Sequence, residues 1–518
     1  MPERETLFLM NKNIFDTIGD AATSSESLTQ WLDTGMWQLF EVYNASHDEI
    51  APLSRDIDHF VQLHRNTLTG LDYNIPHVRA FLLILLALCE RLGIYGAIPH
   101  LLSIVKDNSI AISSRMKAGI SLVYPRPTTS DSLFNLFDTI CPLLQEAVET
   151  EEDDSRASLI TFLNYCSAVA RDTDAGYTRR LRDKISDAVK HGRYPFIIEI
   201  KSILDFDWDN PDSLLASLQG LIDTTSAKSL DIICSVDTAE SLIERDSDYA
   251  ATLQGINADF DEIRAISVSL DDNRDNTGRG VRIIESENAL YNYMKRFGNM
   301  HRAKINSALE PPFPREFPSR INLVDWGCGQ GIASMVFLEK FTGTHVARLL
   351  LIEPSEISLS RAALHCRHYA PDLPIRTICK KLDQLVPGDF TMLSEHTTVH
   401  LFSNILDIDD YSPRHLLDLI GESFHGLNYF VCVSPDVSEI NTAKFRSFAG
   451  HFEKYNATFA RLNHASDTKY GRYWCCNNTY RNGGRVNHGS HFGCADYSPS
   501  HGCHHKWTRI MDVFSVRI

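Results

Sequence analysis

The chain has 518 residues, of which 43% are hydrophobic, 23% charged and 10% aromatic. That length exceeds one ordinary core and points to two or more domains, and the composition excludes a disordered chain. A formal net charge of −17 argues against a surface built for non-specific nucleic-acid binding. The longest apolar run, Ala80 to Cys89, is about half of the roughly 18–20 residues that a membrane span needs.

Met1 to Asp20 lacks an apolar stretch followed by a small-residue cleavage site, so no secretory signal and a cytoplasmic location are expected. The cysteines before Cys475 show no paired spacing and read as buried thiols rather than disulfides. Residues 1–50 read as a partly disordered N-terminal segment, with a polar stretch from Asp20 to Thr29. From residue 51 to 270 the pattern is helical. Pro76 marks a helix start, and His77 to Leu92 is apolar on nearly every face. Further helices are expected at Ile98–Val105, Ser132–Ala147, Ser155–Ala170 and Tyr177–Lys190, and strand potential at Leu230–Val236. This half reads as a helical bundle or solenoid-like domain that positions a substrate or protein partner, and it carries no catalytic constellation. The polar segment 271–280 is the expected linker.

From residue 281 to 518 the pattern changes. A helix from Ser286 to Leu309 ends in a proline-rich break, after which strand and helix signals alternate from Ile321 to Ser434. That rhythm predicts βαβ units in a doubly wound, mostly parallel Rossmann-like sheet. The fold class is therefore an α-helical N-terminal region plus an α/β C-terminal domain.

Val324 to Gly331 reads VDWGCGQG. A strand runs into Asp325, then Gly327, Gly329 and Gly331, then a helix. Such glycines let the backbone turn sharply and approach a ligand. Their spacing differs from the nicotinamide fingerprint, and an acid at the strand end suits a cationic ligand. The next strand ends in Glu353, placed to accept both hydroxyls of a ribose. This combination resembles motif I and the following strand of class I S-adenosylmethionine (SAM)-dependent methyltransferases. The resemblance covers 281–518 and implies SAM as cofactor and an unidentified methyl acceptor. It implies a closing antiparallel hairpin, read at Thr458–Leu462 and Trp507–Ile518, and an adenine contact from Asp383. It also places the tip of the fourth strand, Ser403, Asn404 and Asp407, beside the methyl group, with Asn404 and Asp407 as catalytic candidates. Asp409 and His400 are alternative bases. Neither an Asn-Pro-Pro-Tyr tetrad nor a Pro-Cys nucleophile is present, which argues against two familiar base-methylation chemistries. Tyr293, Phe297 and His301 share one helix face, which the resemblance folds over the pocket. The segments WGCGQG, IEPSE, HLFSNILDI and NYFVCVSP also resemble bacterial proteins with a variable N-terminal region before this domain.

An insert at 471–506 is dense in Cys, His, Gly and aromatics. Cys475, Cys476, Cys494 and Cys503 are candidate zinc ligands, but their spacing matches no established zinc pattern. The insert reads first as a substrate-facing loop. Between Asp467 and Arg517 seven basic residues stand against three acidic ones, interleaved with Tyr473, Trp474 and Tyr480. That mixture suits stacking and phosphate contact, so RNA or DNA is preferred over protein or small molecule as acceptor. No membrane partner is expected. The alternative reading is a SAM-binding scaffold or sensing module without turnover.

Overall fold

The computed structural model describes residues 14–149, 155–198, 200–226, 246–268, 283–317, 320–341, 346–390, 397–408, 411–436, 438–467 and 508–518, and four two-residue strands between 473 and 503. It divides into two compact units. Met1–Lys228 with Ser438–Ala443 form one, and Ser229–Val437 with Lys444–Ile518 form the other.

Up to Lys228, the described part of the first unit is helical. Its best-buried helix is Pro76–Arg91, in which Pro76 occupies the first turn, where its missing N–H costs nothing. Val78 and Ala80 to Cys89 are all buried, as a helix with neighbours on every side requires. They join Phe15, Leu32, Phe40 and Leu101 in one core, while Phe162, Tyr165, Ile185 and Trp208 belong to a second. Residues 14–50, expected to be partly disordered, instead supply a 20-residue helix, Ser25–Asn44, whose first turn is capped by Ser24. Its apolar positions Leu28, Leu32 and Leu39 reach the core from between polar neighbours. The expected Ser132–Ala147 helix is two, Ser130–Asn135 and Phe137–Glu149.

In the second unit the strands are β1 (Ile321–Trp326), β2 (Val346–Ile352), β3 (Ile375–Ile378), β4 (Thr397–Ser403), β5 (Leu427–Ser434), β6 (Ala460–Ser466), β7 (Tyr473–Trp474), β8 (Tyr480–Arg481), β9 (Tyr497–Ser498), β10 (Gly502–Cys503) and β11 (Ile510–Arg517). Seven of them form one sheet in the order β3-β2-β1-β4-β5-β11-β6. β1 to β5 run parallel, and β11 is antiparallel to both β5 and β6. Side chains alternate between the faces. Leu323, Leu349, Leu401, Val431 and Val513 share a core with Val336 and Phe337 of the Ile332–Phe341 helix and with Leu359 of the Glu356–Tyr369 helix. The other face carries a cluster of aromatic rings. Phe402 stacks on Trp326 at 5.4 Å, and Phe430 on Phe514 at 4.8 Å. Because β1 continues to β2 on one side and pairs with β4 on the other, the strand order reverses beside it. The crevice beyond the strand ends there is where open α/β sheets bind ligands.

The helical pattern before the linker divides differently from the expected 51–270 domain. The linker itself lies outside the described residues, but the helices Ser247–Leu253 and Phe260–Val268 belong to the second unit. Tyr249, Leu253, Phe260 and Ile263 bury against Met294, Ile332, Met335 and Leu364. Arg361, 1% exposed, fastens this segment. Its guanidinium pairs with Asp246 at 2.9 Å and Glu287 at 3.1 Å, and lies 3.4 Å over the Tyr249 ring. A helical period announces that a helix has a buried face without saying what covers it. Replacing Arg361 with Leu should lower unfolding stability by about 3 kcal/mol, measured by urea denaturation. A loss below about 0.5 kcal/mol would show that apolar contact alone holds the segment.

Candidate functional site

The turn after β1 builds one wall of a cleft. Gly327, Gly329 and Gly331 all have positive φ, at 61°, 52° and 75°, which L side chains adopt only at a cost. Their surroundings differ. A Cβ on Gly331 would lie 3.1 Å from the Ala362 Cβ and 3.2 Å from its Cα, so this glycine lets two helices approach. A Cβ on Gly329 would meet nothing within 4 Å, because that glycine faces the cleft. Gly329→Ala should therefore cost about 1 kcal/mol from backbone conformation alone. Gly331→Ala should cost about 2–3 kcal/mol by adding a clash with backbone. Thermal melts of the two variants compare them directly, and equal losses would contradict the packing role of Gly331.

Hydrogen bonds fix the loop from several sides. Glu353, half-buried at the end of β2, accepts the Gly329 N–H at 3.0 Å through Oε2 and the Ser355 N–H at 3.0 Å through Oε1. The Gln330 amide donates to the Leu290 carbonyl at 2.8 Å. Behind it, His365 Nδ1–H donates to the Gln330 carbonyl at 2.8 Å, and His365 Nε2 accepts from the Tyr249 hydroxyl at 2.8 Å. That assignment makes the ring neutral, and burial pushes its pKa down to about 3.

A cleft opens beside this loop. Gly327, Gly329, Gln330 and Glu353 line it, together with Ile284, Ile352 and Leu382, Lys380 and Lys381 after β3, and Ser403, Asn404 and Ile405 after β4. Tyr293 and Tyr411 also face it. Of the residues read from sequence, Gly327, Gly329, Glu353, Ser403, Asn404 and Tyr293 thus come together around one space.

Four others take different places. Gly331 packs on Ala362, as above. Asp325 is 1% exposed, and one carboxylate oxygen accepts from the Ser334 hydroxyl at 2.7 Å and its N–H at 3.2 Å. The other, Oδ1, is buried with no hydrogen-bond partner among the described residues. Asp383, expected at an adenine, is exposed and accepts the Ser412 N–H at 2.8 Å, ahead of the Pro413–Ser423 helix. Asp407 is buried and outside the cleft lining. His400, an alternative base, belongs to the sheet's aromatic face. It accepts from the Trp326 indole at 3.2 Å, donates to Asn428 at 3.1 Å and stacks on Phe430 at 4.5 Å. Burial pushes its pKa down to about 3, so it is not a proton acceptor near neutral pH. Asp409, Cys475, Cys476 and Cys494 lie outside the described residues, and Cys503 sits in β10. Among the described residues no group of His, Cys, Asp or Glu could hold a metal, and no helix is long and apolar enough to cross a membrane. Arg509, counted with the basic surface, is buried against Asp467.

Sequence reasoning missed Lys304, which is wholly buried. Its ammonium donates to Asn404 Oδ1 at 2.8 Å, and Asn404 Nδ2 approaches both His301 Nδ1 and Ser403 Oγ at 3.0 Å. Asn404 itself holds a left-handed φ of 59°. The signal was available, since Lys304 follows Tyr293 by eleven residues and shares its helix face.

Burial pushes the carboxyls of both Asp325 and Glu353 up to about 7. A carboxyl with a raised pKa holds more protons folded than unfolded. Stability from these groups is therefore greatest below about pH 4 and is lost as pH rises towards 7, levelling above it. A ligand that donates to the Glu353 carboxylate should show the opposite trend, binding more tightly as pH rises through 7. Melting curves and titrations between pH 5 and 8 read both slopes, and Glu353→Gln should flatten the binding slope and reduce the stability slope to the part that Asp325 supplies. Parallel slopes would show that these carboxyls do not titrate in the window.

No family model and no curated protein matches the chain. Solved structures do. A proposed RNA methyltransferase from Pyrococcus horikoshii aligns with 50% of this chain and 99% of its own, at 9% identity and a TM-score of 0.28. A proposed class I SAM-dependent methyltransferase from Listeria monocytogenes aligns with 74% of this chain and 87% of its own, at 10% identity and a TM-score of 0.25. The plantazolicin methyltransferase bound to S-adenosylhomocysteine (SAH) covers 44% of this chain and 87% of its own, at 10% identity and a TM-score of 0.24. At such low identity and score, what the chain does rests on the geometry of its own cleft. The second unit has a Rossmann-like fold, a doubly wound, mostly parallel sheet closed by an antiparallel pair.

Proposed function

We propose that the chain binds SAM in the cleft at the ends of β1, β2 and β4 and transfers the methyl group to an acceptor. The observation that carries this reading is Glu353. Its carboxylate is fixed by two backbone N–H groups beside the open face of Gly329. Each oxygen keeps a lone pair for a ribose hydroxyl, an arrangement that selects a nucleoside. The residues fit the rest of the cofactor. Ile284, Ile352 and Leu382 offer an apolar slot for adenine, and the buried Asp325 Oδ1, without a hydrogen-bond partner among the described residues, lies behind the loop as a counter-charge for a cationic ligand. Bound SAM would supply an electrophilic methyl group. The protein's part is to hold it, exclude water and align the acceptor.

The acceptor is proposed as RNA or DNA ahead of protein or small molecule, supported by the basic, aromatic-rich composition between Asp467 and Arg517. The helical unit, rich in buried apolar side chains, is read as the element that positions the acceptor or a protein partner. A second reading, a SAM-binding module without turnover, has one observation in its favour. His301 and His400 are neutral and already hydrogen-bonded, and Asp407 does not line the cleft. An acceptor that needs no deprotonation accommodates the same fact.

Calorimetric titration of SAM into the wild type should give one site per chain, abolished by the Asp325→Ala, Glu353→Ala double variant while its circular dichroism stays native. Transfer of labelled methyl into total RNA, DNA or protein then separates the two readings. Absence of binding to the folded wild type would sink both.

A further inference from the structure

The Glu287–Ala308 helix carries three rings that close on one another at the rim of the cleft. Tyr293 lies 5.3 Å from Phe297 and 5.4 Å from His301, and Phe297 lies 6.3 Å from His301. Two of these rings are fixed to the cleft. Tyr293 lines it, and His301 is buried and meets Asn404, another lining residue, at 3.0 Å. Phe297 is the third. It is partly exposed and outside the lining, so a ligand confined to the cleft does not cover it. The exposed Arg296 guanidinium lies over this ring at 5.1 Å and has no acidic partner among the described residues. Nearby Arg302 differs, since Asp261 and Glu339 hold it at 2.9 and 3.6 Å.

We propose that Phe297 and Arg296 form the acceptor's subsite, taking an unstacked base of single-stranded nucleic acid on the ring and its flanking phosphate on the guanidinium. This rests on the reading of the cleft as the methyl donor's site and adds where the acceptor sits. A partly exposed ring packed on two others is a stacking platform. Every base offers a π-face, and the ring has little rotamer freedom left to lose. An arginine stacked on an aromatic ring keeps the N–H edges of its planar guanidinium for an anion. Ring and anion contact then lie side by side, and a nucleotide carries a partner for each on one unit. An aromatic side chain of a peptide carries only the first. His301 adds a ring and no charge, since burial pushes its pKa down to about 3. Phe297 stands one helical turn from Tyr293 and one from His301, so a base upon it abuts the cleft wall at Asn404, where β4 ends. On a chain with a net charge of −17, a polyanion is held by stacking first and by charge second. One arginine then suffices where binding by charge alone would need a basic groove.

The test is fluorescence anisotropy of the full chain with short, labelled, mixed-sequence single strands of RNA and of DNA, each beside an abasic counterpart. Phe297→Ala should weaken binding of the base-bearing strand on the order of tenfold and leave the abasic strand unchanged. Phe297→Trp should keep the wild-type affinity. Arg296→Gln should reduce the slope of log affinity against log salt by about 0.7, one phosphate's share on a single strand. That exposed position keeps the test open should Phe297→Ala fail to fold. Dependence on Phe297 in the RNA arm, the DNA arm or both says which polymer is taken. A ring that only packs the helix would weaken base-bearing and abasic strands alike. Failure of the wild type to bind either strand, equal affinities of wild type and Phe297→Ala, or an unchanged salt slope in Arg296→Gln overturns the proposal. Transfer of labelled methyl to protein and to neither nucleic acid overturns it too, giving the ring to a peptide. A wild type that binds no SAM by calorimetry yet shows Phe297-dependent strand binding would overturn the cleft reading and keep Phe297 and Arg296 as a base-binding site.

Discussion

Everything at the cleft depends on one backbone turn that only glycine adopts cheaply. Leaving β1, the chain takes left-handed conformations at Gly327, Gly329 and Gly331, and the Glu353 carboxylate on the next strand accepts the exposed Gly329 N–H. That bond joins two neighbouring strand ends beside the point where the sheet order reverses. It leaves Gly329 without a neighbour on its open side. A ligand's share of Glu353 is accordingly a share of the bond that shapes the loop. Binding and loop geometry are two views of one equilibrium.

Around that turn, ionisable groups are buried in unusual number, each held by specific partners. Asp325 leans on Ser334, Lys304 on Asn404, Arg361 on Asp246 and Glu287, and His365 between Tyr249 and Gln330. Burying a charge or a polar ring costs several kcal/mol unless partners offset it. A site assembled from such groups is stiff, because no member can move without orphaning another. The opposite face of the sheet solves its packing with stacked rings. There His400 is a stacking ring with two hydrogen bonds, and its environment removes the proton chemistry its residue type suggests.

The sheet was legible in the sequence because alternation of period two and short apolar runs mark strands wherever one face meets helices. The alternation of strands and helices runs from Ile321 to Ser434, the limits read from the residues alone. Gly327 and Gly329 were legible because a tight turn demands a residue type at a fixed place, and Glu353 because an acid stands out at the end of an apolar strand. What stayed hidden was tertiary. Nothing local distinguishes Gly331, which packs on Ala362, from Gly329, which faces open space. Asp383 is spent on the Ser412 N–H, a partner 29 residues away. Lys304 was passed over because lysine is ordinarily a surface residue, and only its shared face with Tyr293 and His301 marks it.

The Arg361 clamp bears on how such a protein can be rearranged. The helices at 247–253 and 260–268 belong in space to the second unit, although in sequence they read as the end of the helical half. Recombination or engineered fusion at the polar stretch near residue 275 would separate a guanidinium from its carboxylate and strip Tyr249 from the relay that ends on the glycine loop. The exchangeable module therefore begins upstream of Asp246. The seam between the two units is thus offset from the seam of composition.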